Sequence, residues 1–244
     1  MKGINNFAAL AVAVLAQGCT APQDRAPNLV PDMFAGQPLS RTSERPPPFA
    51  RHIAQSRNVG LGGGIAGFFI GRAVSETMNA DERARSRIGE VPTPEGVDPG
   101  AIIESMIADK LIADFGAREN VRDFYAGSIR ETGAAERGPK VARLAQLRAL
   151  SGVVIDVVAL EYYADSTGRN LGLVDEAFRI VVTAQMNLVD VASGAVIASG
   201  SCEGAQGNTT LISSAVEDGA RLTTVLAQRA AAACAQQLIA EVVR

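Results

Sequence analysis

Phe178-Arg179-Ile180-Val181-Val182-Thr183-Ala184-Gln185-Met186-Asn187-Leu188 is the stretch that decides the fold. Phe178, Ile180, Val182, Ala184, Met186 and Leu188 alternate with Arg179, Thr183, Gln185 and Asn187. A period of two puts one face of a strand on a core and leaves the other polar. Asp190-Val191-Ala192-Ser193-Gly194 supplies turn chemistry, and Ala195 to Cys202 returns as the partner of a hairpin. Upstream, Val153-Val154-Ile155-Asp156-Val157-Val158-Ala159-Leu160 is β-rich and nearly continuous, the pattern of a strand covered on both faces.

Helical signals flank these strands. Asp98-Pro99 is a helix opening, a capping acid followed by proline at the first position. Ile102, Ile103, Met106, Ile107, Leu111, Ile112 and Phe115 then recur mostly at three- and four-residue steps, and Gly116 stops the helix. A short strand is predicted near Val121 to Tyr125 and a second helix over Pro139 to Leu150. After a Gly/Asn-rich loop at 204–208, a long helix is predicted from about Leu211 to Val243, broken near Gly219. Leu222, Leu226, Ala230, Cys234, Leu238 and Val242 form its inward stripe. The expected fold is α/β (α+β): a small three-layer-like domain over 97–244, with a mostly antiparallel sheet, helices packed on it and a long C-terminal helix.

The first nineteen residues speak to location. Lys2 gives a positive start, Phe7 to Ala16 is an apolar run, and Gln17-Gly18-Cys19 closes it. That run is too short for a finished membrane-spanning helix and matches the apolar region of a secretory signal. Leu15-Ala16-Gln17-Gly18-Cys19 resembles a bacterial lipobox, with Ala16 and Gln17 departing from the commonest residues. The resemblance implies a signal peptide at 1–18, acylation of Cys19 and cleavage before it. The competing reading is an ordinary signal peptide with a chance cysteine.

From Thr20 to about Arg57 the chain reads as a tether. Seven of the eleven prolines fall there, and proline fixes φ and lacks an amide donor. A lipidated, Pro-rich tether is therefore expected at 19–57, with Phe34, Phe49 and His52 able to dock locally. A Gly-rich helical segment is expected at 58–90. Within it Gly63, Gly67 and Gly71 fall four apart, so one helix face is smooth enough for close approach of another backbone. This face suits either packing in or against a membrane, including self-association, or packing on the domain's own sheet. Gly62-x-Gly64-x-x-Gly67 fits a dinucleotide fingerprint in spacing, but no strand precedes it.

Charge and cysteines narrow the function classes. Loss of Lys2 with residues 1–18 lowers 23 basic side chains to 22 against 26 acidic, a net −4. Nucleic-acid binding needs a basic face, so it is excluded as the main activity. With Cys19 lipidated, Cys202 and Cys234 remain as an even pair in an oxidising compartment, which predicts a disulfide. Metal ligation is the alternative, but two cysteines and the single histidine, His52, do not make a four-ligand zinc site without carboxylates. No metal or cofactor is expected.

The hairpin Phe178 to Cys202, with Leu188-Val189-Asp190-Val191-Ala192-Ser193-Gly194-Ala195-Val196 at its turn, resembles a recurring pattern in periplasmic lipoproteins. Those share a small α/β domain similar to the TolB amino-terminal domain and to curli-secretion and penicillin-binding-protein-activator lipoproteins. The C-terminal helix with its cysteine, and the Gly-rich segment before Asp98-Pro99, resemble uncharacterised proteobacterial lipoproteins. The resemblance implies a lipid-anchored protein of the outer membrane facing the periplasm, since Thr20 and not aspartate follows Cys19. It implies binding of an envelope protein or assembly of an envelope complex, not catalysis. The alternative function is an oligomeric pore or secretion subunit that uses the Gly63/Gly67/Gly71 face. Enzyme chemistry would have to draw on Asp156, Glu161, Asp165, Asp175 and Glu176 in or beside the strands, or on His52. Acids at strand ends are more often solvated loop residues, and Tyr162-Tyr163 reads as packing.

Overall fold

The computed structural model describes residues 33–52, 87–169 and 176–243. Cys19, Gly63, Gly67, Gly71 and Asp175 lie outside the described residues. In chain order the elements are β1 (Pro38–Ser43), β2 (Ala50–His52), a 3-10 turn at Ile88–Glu90, α1 (Pro99–Phe115), β3 (Arg118–Tyr125) and α2 (Ala134–Leu147). They continue with β4 (Val153–Arg169), β5 (Glu176–Asp190), β6 (Val196–Leu211), α3 (Ile212–Asp218) and α4 (Ala220–Val242).

One mixed, six-stranded sheet runs β3-β1-β4-β5-β6, with β2 beside β4 further along. The two long ladders, β4 with β5 and β5 with β6, are antiparallel. β1 is parallel to both β3 and β4, and β2 is parallel to β4. Alternation along β4 distributes the cores. Val153, Ile155 and Val157 enter the larger core with α1 and α4, and Val154 enters a smaller one with α2. Helices therefore cover both faces, and the fold class is the expected α/β.

Local chemistry fixes the ends of the helices. At α1, the Ala101 amide donates to Asp98 Oδ1 at 3.1 Å, with Pro99 in the first turn. Gly116, at φ 67°, closes it in the left-handed region. Gly219, at φ 63°, separates α3 from α4.

Contact between α4 and β6 is close because glycines face the helix. A Cβ on Gly204 would lie 1.9 Å from the Ala230 carbonyl oxygen, and one on Gly200 would lie 2.5 Å from Val242 Cγ2. Between them Cys202 bonds to Cys234 of α4, with the two Cα atoms 5.1 Å apart. The edge strand and the last helix are thus held covalently and by backbone proximity.

Three sequence expectations need correction. The tether reading of 19–57 gives way over 38–52, where β1 and β2 belong to the sheet and Phe34 and Leu39 are fully buried. The folded unit therefore starts well before residue 97. The segment read as a loop at 204–208 is part of β6, because its glycines serve α4 packing and a bulge rather than a turn. Finally, α2 begins at Ala134 and carries Pro139 inside it, five residues earlier than expected.

Candidate functional site

Prolines interrupt the sheet, and polar groups collect at the break. β1 pairs with β4 as far as Arg41 opposite Ile155, and β2 resumes at Ala50 opposite Tyr163. Between them lie Pro46, Pro47 and Pro48, which have no amide to give a ladder. The Val157 amide of β4, two residues past the last pair, donates instead to the carboxyl of Glu104 on α1. Thr42 Oγ1 donates to the same carboxyl at 3.1 Å. Burial is the main influence on Glu104 and pushes its pKa to about 9, so it is a neutral acid at neutral pH. Beside it a cavity of about 100 Å³ opens between the end of β1 and the first turn of α1. The cavity lies where β1 ends: α1 covers one face of the sheet here, and β3 leads on to α2 on the other. Arg41 on its wall is already paired with Asp123 at 2.9 Å.

A second polar cluster lies under α2. Arg137, 1% exposed, donates from Nε to Asp156 Oδ2 at 2.7 Å and from Nη2 to Asp156 Oδ1 at 2.8 Å. It also reaches Glu44, the residue after β1, and the Ile129 and Glu131 carbonyls. Asn187 Nδ2 donates to Asp156 Oδ2 at 3.0 Å. Burial disfavours the Arg137 charge, but the Asp156 and Glu44 carboxylates more than offset it and hold the guanidinium above its ordinary range. This forked pair locks β1, β4, β5 and α2 together.

The third feature is β6, which among the described residues is the last strand on its side of the sheet. This strand is sixteen residues long and carries one charged side chain, Glu203, with no proline or lysine. The opposite edge is guarded. β3 has four charged residues in eight, and beyond it Pro46 and Pro48, both exposed, continue the border. The Glu203 amide donates to Gln237 Oε1 at 3.2 Å and so points away from β5. Through the regular register from Ala198 to Gln206, Ser199, Ser201 and Ala205 share that outward parity.

The residues nominated for chemistry are scattered by the fold. Cys202 and Cys234 are brought together and joined. His52 is exposed, edge-on to the Tyr163 ring at 4.6 Å. Asp156 serves Arg137, and Asp165 pairs with Arg179 at 3.0 Å. Glu176 is buried, accepting from the Arg87 amide at 2.9 Å and from Ser166 Oγ. Glu161 stands opposite Thr183 in the ladder. Tyr162 packs edge-on against Phe49 at 4.9 Å. Sequence reasoning missed Glu104 and Arg137. The signal for Glu104 was an acid inside the apolar stripe of α1, next to Ile103 and one turn before Ile107 and Ala108. Arg137 fell outside the helix as read, and no local pattern pairs it with Asp156.

Among the described residues, no helix is long and apolar enough to cross a membrane, and no group of three histidines, cysteines or acids is placed to hold a metal ion. The sequence matches no family model and no curated protein. Among solved structures the chain is similar to a PelC dodecamer from Paraburkholderia phytofirmans, at 15% identity and a TM-score of 0.28, over 83% of this chain and 93% of that one. A PelC single-site variant from the same organism, also a dodecamer, gives 13% identity and a TM-score of 0.27, over 84% and 94% of the two chains.

Proposed function

We propose that this is a lipid-anchored cell-envelope protein that acts by binding protein, with the β6 edge as its contact strand. The observation that carries the reading is the contrast between the two sheet borders. β6 offers a long run of backbone donors and acceptors with one charge, whereas β3 and the prolines guard the other side. An unguarded edge is the substrate of strand addition, in which main-chain hydrogen bonds supply affinity. The Cys202–Cys234 bond suits an exported domain, since disulfides persist in oxidising compartments. Binding rather than catalysis also agrees with the use made of the acids, several of which are engaged in ion pairs and internal hydrogen bonds. Cys19 would hold the domain at the outer membrane facing the periplasm, as the lipobox resemblance implies.

The test combines fractionation with sizing. Wild type should fractionate with the outer membrane, and Cys19→Ser should not. Solubilised in mild detergent, wild type should run larger than its own monomer, and Ser201→Lys should run as the monomer. Soluble, fully processed Cys19→Ser would contradict the anchor, and a wild type of monomer size would contradict the binding strand.

A further inference from the structure

We infer that the β6 edge takes a second copy of this chain, paired antiparallel about a two-fold axis through Ser201; this deepens the binding reading above and rests on it. The edge groups that point outward belong to Ser199, Ser201, Glu203 and Ala205. A two-fold axis at Ser201 sets Ser201 opposite itself and Ser199 opposite Glu203 of the second copy. Outward groups then meet outward groups, as a hydrogen-bonded antiparallel ladder requires.

Charge selects the occupant and the register. Like charges directly opposite one another destabilise a strand pair, and a two-fold axis at Glu203 would put the strand's only charge against itself. An axis at Cys202 leaves the two Glu203 side chains diagonal to each other. The axis at Ser201 separates them and gives each a hydroxyl partner, so the strand is complementary to its own copy. The Gln237 side chain that holds the Glu203 amide would hand that donor to the Ser199 carbonyl of the second copy. Ser201 is exposed, so substitution there leaves the core untouched. Further along, the register shift between Phe178 and Ile180 marks a bulge in β6 that ends the straight edge and limits pairing to this run.

The experiment uses the whole chain in its membranes. Residues directly opposite in a hydrogen-bonded pair have Cα atoms about 5.5 Å apart, within disulfide range. Ser201→Cys should therefore give a disulfide-linked dimer under mild oxidation. Glu203→Cys, facing Ser199 of the second copy, should give little. Because an added cysteine can disturb the Cys202–Cys234 bond, two differently tagged copies without added cysteines provide the second measurement. They should co-purify, and Ser201→Lys in both should lower the yield at least tenfold. A complex larger than monomer from which tagged copies do not co-purify would overturn self-pairing and leave protein binding standing. A protein of monomer size throughout would overturn both, and a dimer linked through Glu203→Cys but not Ser201→Cys would overturn the register.

Discussion

Gly204 passes so close to Ala230 that no side chain fits between β6 and α4: a Cβ there would sit 1.9 Å from the Ala230 carbonyl oxygen and 2.7 Å from the Cys234 amide. Both obstacles are backbone, so neither can rotate aside. Gly204→Ala should destabilise the domain by about 3 kcal/mol, the upper end of overpacking costs, in thermal or denaturant unfolding. Gly200→Ala meets side chains of Val242 and Leu238 and should cost less, about 1–2 kcal/mol. Gly89→Ala, which meets nothing within 4 Å, should change stability by no more than about 0.5 kcal/mol. Equal effects at all three positions would contradict the close α4–β6 contact.

The disulfide should be complete and useful. Thiol labelling of unreduced, denatured protein should find neither Cys202 nor Cys234 free. Cys202 and Cys234 are 32 residues apart, and on the chain-entropy model closing such a loop contributes about 3–4 kcal/mol. Reduction should lower the unfolding midpoint accordingly, and an unchanged midpoint would contradict a stabilising bond.

Glu104 gives the stability a pH dependence of known sign. Its carboxyl is held near pKa 9 in the fold by burial, against 4.5 in the open chain. Above pH 4.5 the unfolded chain releases a proton that the folded chain keeps, so the contribution is complete below that value and is lost as the pH rises towards 9. Wild-type stability should therefore fall from about pH 5 to pH 9. Glu104→Gln keeps an acceptor for Thr42 and Val157 and should flatten this slope. A Glu104→Gln protein with the wild-type slope would show that another group titrates.

Arg137 and Asp156 should behave as a unit. Arg137→Met leaves the buried Asp156 carboxylate without its main partner and should cost about 3–5 kcal/mol. Asp156→Asn together with Arg137→Met removes both charges, and it should recover part of that loss. Additive losses in unfolding experiments would show that the two residues are not coupled.

These sites differ in how legible they were. The hairpin from Phe178 to Cys202 could be read because one face is apolar along its whole length, which leaves a period of two. The Asp98 cap and the Gly116 stop could be read because capping is local. β1 could not. Its Pro-Leu-Ser-Arg-Thr-Ser carries one large apolar residue, and it joins the sheet through parallel ladders to strands some eighty and more than a hundred residues away. Ser40 and Thr42 are buried there as polar residues, Thr42 satisfied by Glu104. The Arg137–Asp156 pair joins a helix to a strand 19 residues on, and no local pattern links the two. Gly204 misled in the opposite sense, since glycine required by a crossing helix looks in sequence like glycine required by a turn.

The most direct measurement of the binding strand is made in living cells. A photo-crosslinking side chain placed at Ser201, with Cys19 intact, should give strong adducts to protein on illumination. The same side chain at Tyr125, half exposed at the end of the guarded β3 edge, should give few. Equal labelling from both positions, or adducts from Tyr125 alone, would contradict the assignment of β6 as the strand through which this protein binds.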